Sequence, residues 1–147
     1  MYQRILVATD GSELSQKAVD SALDLASKLG ATVVAVKVVP PYPHSYFDGA
    51  MAIDLKEIER TEASWSAAAH KDLEAVQSAG LTRKVTVTPV VVRGDQVSEA
   101  LIATAQKHHC DLIVMASHGR RGVSRLLLGS ETQHVLTHSH IPVLVLR

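Results

Sequence analysis

The stretch "CDLIVMASHGRRGVSRLLLGS", residues 110–130, runs from an unbroken apolar segment through a connection rich in glycine and arginine to a helix start. "CDLIVMAS" (110–117) is too short for a buried helix and has no alternation. It therefore reads as a strand buried on both faces, the kind found in parallel sheets. The connection interrupts it with Gly119, Gly122 and Gly129, and with Arg120, Arg121 and Arg125. Then "SETQ" (130–133) has the Ser-x-x-Gln spacing of a capping box, which predicts a helix to about residue 139.

The same grammar extends outward in both directions. "RILVAT" (4–9), "ATVVAVKVV" (31–39), "RKVTVTPVVVRG" (83–94) and "IPVLVLR" (141–147) read as four further strands. Pro89 lacks an N–H and places the third strand at a sheet edge. Between them the apolar residues Ala18, Ala22, Leu25, Ala26 and Leu29 recur at helical spacing over 12–29, with Gly30 as a stop. Ile58, Trp65, Leu73 and Val76 form a stripe over 53–79, ended by Gly80. Val97, Leu101 and Ala105 do so over 96–109, with Asp95 as N-cap. "PPYPHSYFDGAMA" (40–52) has no period and reads as a long loop. Regular alternation of strand and helix predicts an α/β single-domain three-layer sandwich over 1–147. Its Rossmann-like, five-stranded parallel sheet has the order 3-2-1-4-5, with helices on both faces.

The bulk numbers exclude several classes. Of the 147 residues, 46% are hydrophobic and 3% aromatic, so the core is aliphatic. Lys plus Arg and Asp plus Glu are 15 each, and the formal net charge is zero. That balance, with few aromatic stacking surfaces, argues against nucleic acid as a partner. No apolar run reaches membrane-spanning length, and no membrane association is expected. The opening "MYQRILVATDGS" is interrupted by Asp10 before it reaches the length of a signal core. Cys110 is the sole cysteine, which excludes a disulfide within the chain. A cytoplasmic protein is expected.

Open parallel sheets bind ligands beyond the carboxyl ends of the strands where strand order reverses. Here that crevice lies between the first and fourth strands, and "TDGS" (9–12) would face "SHGRRG" (117–122) across it. The Walker and dinucleotide glycine patterns are absent. So are the nucleophile elbow of a serine hydrolase and the acidic set of a response regulator. What remains is an anion site. Gly119 and Gly122 allow close backbone approach, the Ser117 and Ser130 hydroxyls donate, and a helix starts at Gly129–Ser130.

At these residues the sequence resembles the universal stress protein family. "MASHGRRGVSRLLLGS" is similar to that family's nucleotide loop, G-x2-G-x9-G-[ST], with Gly119 and Gly129–Ser130 in place and Ala116 where the first glycine stands. "RILVATDGSELS", "CDLIVMAS" and "HIPVLVLR" extend the likeness over essentially the whole chain.

The resemblance implies ATP as ligand, with Mg²⁺ bound mainly through the phosphates. Thr9 and Asp10 would lie near the adenosine, and the Val38 backbone would meet the adenine. Met115, Ala116 and Gly119 would line the ribose and phosphates. Gly129, Ser130, Glu131 and Thr132 would hold the phosphate tail. His118 and Arg120 lie in the loop itself, as phosphate contacts or as space-filling and solvated side chains.

The implied role is stress-response signalling or protection, with no catalytic residue assigned and at most slow ATP hydrolysis or phosphoryl transfer. The alternative is a dimeric interaction protein that binds no nucleotide, with Ala116 marking the loss. The apolar edge strand 141–147 predicts a homodimer, and no downstream protein partner is indicated. His134, His138 and His140 read as a surface cluster rather than a metal site, because no H-E-x-x-H pattern accompanies them.

Overall fold

A computed structural model of the chain describes residues 1–42, 54–119 and 127–147. The elements alternate as β1 (Arg4–Ala8), α1 (Glu13–Leu29), β2 (Thr32–Val39), α2 (Leu55–Thr82), β3 (Val87–Arg93), α3 (Val97–Lys107), β4 (Leu112–Ala116), α4 (Ser130–His138) and β5 (Val143–Leu146). The five strands form one sheet in the order β3-β2-β1-β4-β5, every pair parallel, as the alternation predicts.

Each central strand feeds two cores, because successive side chains leave a strand on opposite faces. Ile5 and Val7 join Val33, Ala35 and Val114 under α1 and α2; Leu6 joins Val34, Val36 and Ile113 under α3 and α4. Pro89 lies in β3, an edge strand, as its missing N–H requires.

Several local expectations are corrected. Gly80 does not end α2, which continues to Thr82. It is buried, and a Cβ added there would lie 2.5 Å from Val87 Cγ2 and 2.9 Å from the Val85 carbonyl oxygen. The glycine lets the helix press against the sheet. The chain then turns through Lys84 in the left-handed region (φ 58°), so β3 starts at Val87 rather than at 83. The N-cap of α3 is Gln96, not Asp95, and its side chain makes no capping bond. Val97, at the exposed first position, is 38% accessible rather than core. At α4 the N-cap is Gly129, so Ser130 is already helical and the Ser130–Gln133 capping box does not form.

The crossover from β2 is fastened at its start. The Tyr42 N–H donates to Glu62 Oε1 (3.2 Å), Arg93 Nη1 donates to Glu62 Oε2 (2.7 Å), and the Tyr42 ring stacks on Trp65. Most of the 40–52 loop, residues 43–52, lies outside the described residues.

Candidate functional site

At its carboxyl end β1 stops before both its neighbours. Its ladder with β2 ends at Ala8 opposite Val36, and the Thr9 N–H donates to the Val36 carbonyl (3.0 Å); β2 continues to Val39. Along a strand, main-chain groups point alternately to the two sides. The Val33 N–H and the Val39 carbonyl bond toward β3, at Thr86 and Gly94, while Val36 bonds toward β1. By that parity the N–H and C=O of Val38 face β1 beyond its last residue. Val38, Ala8 and Met115 all pack with the α3/α4 core. On the other flank β4 runs on to Ala116 beside Leu146 of β5. The result is a notch at the switch point, floored by the end of β1 and flanked by β2 and β4, which reach further.

The turn after β1 is built from its own side chains. Asp10 Oδ1 accepts from the Ser12 N–H (2.9 Å), Gly11 takes φ 79°, and Ser12 caps α1 by accepting from the Ser15 N–H (3.2 Å). Thr9 Oγ1 lies 3.3 Å from Ser15 Oγ, which donates to the Ser12 carbonyl. Ser12 and Ser15 thus fix the turn that presents Asp10. The two loops meet at the notch: a Cβ on Gly119 would stand 2.8 Å from Asp10 Oδ2.

Ser117 closes the loop after β4. Its N–H donates to the Leu146 carbonyl (2.7 Å), and its own carbonyl accepts from the Gly129 N–H (2.8 Å), so both ends of the connection are joined. Gly129 has φ −61°, so it is needed for space rather than for an unusual backbone. A Cβ there would lie 3.3 Å from both His118 Cα and the Ser117 oxygen. Ser117 Oγ pairs with His118 Nδ1 at 3.1 Å. Arg120 and Gly122 lie outside the described residues.

Ala116, at the first-glycine position, ends β4 in extended conformation and is not among the residues with positive φ. Its methyl therefore introduces no backbone strain.

The side chains that begin α4 have structural partners. Thr132, 2% exposed, donates through Oγ1 to the Ala116 carbonyl (2.9 Å), and Glu131 Oε2 accepts from the Ser98 N–H (2.6 Å). Ser98 was not singled out in the sequence; its link to Glu131 spans 33 residues and leaves no local signal. What α4 offers outward is main chain. The N–H groups of Ser130, Glu131 and Thr132 belong to the first turn, which has no intrahelical acceptor and carries the positive end of the helix dipole.

No thiol nucleophile serves this site. Burial pushes the Cys110 thiol up to about 11, with Arg4 lowering and Asp111 raising it. It also lies just before β4, at the opposite end of the strand from the notch. Among the described residues no three His, Cys, Asp or Glu side chains are grouped to hold a metal ion, and the His134 and His138 rings stack face to face.

An open parallel sheet with helices on both faces and loops converging at its switch point defines a Rossmann-like α/β protein. Within that class the model of the universal stress protein family matches residues 1–147, and the chain belongs to that family. It is 30% identical to universal stress protein MJ0531 of Methanocaldococcus jannaschii, over 100% of this chain and 83% of that one. The universal stress protein UspA from Lactobacillus plantarum superposes with a TM-score of 0.84 at 24% identity, covering 99% of this chain and 98% of that one. A universal stress protein solved in complex with cAMP has a TM-score of 0.71 at 26% identity, covering 99% and 97%.

Proposed function

We propose that this chain binds an adenine nucleotide, ATP with Mg²⁺ held mainly through the phosphates, in stress-response signalling or protection. The observation that carries this reading is the close approach of Gly119 to Asp10, which brings the loops of β1 and β4 together at the notch. The main chain of Val38 supplies a donor and an acceptor suited to the edge of an adenine ring. Thr9 and Asp10 stand on the adenosine side, with Met115, Ala116 and Ser117 along the opposite wall. Gly119, Gly129 and the first-turn N–H groups of Ser130, Glu131 and Thr132 suit a phosphate chain, with His118, Arg120 and Gly122 in the intervening loop. Among the described residues no three acidic or histidine side chains are grouped to hold a metal, which agrees with an ion that keeps its waters and phosphate ligands. The relative solved with cAMP supports the adenine-nucleotide class.

Titration calorimetry with ATP and Mg²⁺ tests the reading: saturable heat below about 1 mM ligand is expected. Its absence would favour an interaction module that binds no nucleotide. That alternative is weakened by the unstrained strand geometry of Ala116.

The protein acts as a homodimer in this reading, through residues 141–147. β5 is a sheet edge, and its Leu144 is 41% exposed. Edges of this kind are ordinarily paired. Sedimentation at micromolar concentration should give a dimer, and Leu144→Lys a monomer; a wild-type monomer would remove the interface. The single, buried Cys110 suits a reducing, cytoplasmic setting. No described helix is long and apolar enough to cross a membrane.

A further inference from the structure

We propose that Glu131 is a charge-selecting residue of the phosphate site. Its carboxylate, fixed between the starts of α3 and α4, discriminates against each added phosphate charge unless a divalent cation accompanies it. The inference rests on the adenine-nucleotide reading above.

Glu131 is the second residue of α4, in the turn whose N–H groups attract anions. A carboxylate there already places one negative charge where a phosphate would sit nearby. An exposed glutamate normally swings away from such a neighbour, but this one is anchored. Gln96, the N-cap of α3, makes no side-chain capping bond, and Glu131 Oε2 supplies the missing acceptor to the Ser98 N–H at 2.6 Å. Ser98 is 4% exposed, so releasing it would strand a buried donor. The charge stays where it is, and Oε1 has no hydrogen-bond donor among the described residues.

Repulsion from a fixed charge grows with the charge of the ligand. A triphosphate carries roughly twice the charge of a monophosphate ester, while adenosine carries none. A divalent cation cancels most of the difference, and salt screens the rest.

The test is titration of the wild type and Glu131→Gln with adenosine, AMP, metal-free ATP and ATP with Mg²⁺. Glutamine keeps an acceptor for the Ser98 N–H. In the variant, affinity should rise about fivefold to tenfold for metal-free ATP, about twofold to threefold for AMP, and not at all for adenosine. The ATP gain should shrink with Mg²⁺ and at about 0.5 M salt. Equal gains for all three ligands, or none for metal-free ATP, overturn the proposal while leaving nucleotide binding intact. Loss of adenosine binding in the variant makes Glu131 a structural strut only and also overturns it. A wild type that binds none of the ligands overturns the nucleotide reading and this proposal together.

Discussion

Gly80→Ala lowers the melting temperature by roughly 5–10 °C in the expected result, although alanine is the better helix former. Helix propensity alone favours the substitution by about 1 kcal/mol. Against it stands the wall that the new methyl meets, 2.5 Å from Val87 Cγ2 and 2.9 Å from the Val85 carbonyl oxygen. Val87 can shift its rotamer only within a packed core. The carbonyl is main chain, held in the turn that leads from α2 into β3 by the bond from the Val85 N–H to the Gly80 carbonyl (2.8 Å). Overpacking of this kind costs about 1–3 kcal/mol or more. Two contacts, one of them to backbone, put the cost near the top of that range and leave a net loss of about 2 kcal/mol. Thermal or urea unfolding monitored by circular dichroism reads it directly. A rise in stability would show that α2 lifts off the sheet at little cost and that Gly80 is an ordinary helix weakness.

Gly129→Val should remove ATP binding, by about a hundredfold or more in affinity, with the far-ultraviolet spectrum unchanged. The position has ordinary φ, so the penalty is spatial. The first carbon of the new side chain would sit 3.3 Å from His118 Cα and from the Ser117 oxygen, and valine adds two methyls beyond it. Relief requires the two ends of the loop to part, which loses the Gly129–Ser117 hydrogen bond (2.8 Å) and tilts the first turn of α4 away from the notch. The cores beneath are untouched, because Val135 and Leu101 pack lower on their helices. Calorimetry beside a melting curve separates the outcomes. Unchanged affinity would take this loop out of the binding site.

The sheet was legible because its strands carry their burial in their composition. "RILVAT" and "CDLIVMAS" are apolar on both faces, and only a central parallel strand needs that. Pro89 marked an edge for the equally local reason that it lacks an N–H. The glycines were harder. Gly30 does end its helix in the left-handed region (φ 68°), but Gly80, identical in sequence terms, is a contact point. The difference lies in what packs against it across a turn.

Asp95 was a reasonable cap by residue type, yet α3 is capped by Glu131 from another helix, and no spacing rule reports a tertiary cap. The glycine loop was visible as a pattern. That Ala116 carries no backbone strain became clear only from the strand geometry at that position.

The early end of the first strand has a consequence for how this fold tolerates change. What Val38 offers to the notch is main chain, so replacing its side chain by isoleucine or threonine leaves the same donor and acceptor there. Strand length has no such latitude. One residue inserted into β1 would fill the gap opposite Val38, and a one-residue slip of β2 would turn the Val38 amide toward β3 instead. Drift in this family's inner strands should therefore run to substitutions and avoid insertions, with the pocket conserved as a count of residues rather than as a set of side chains.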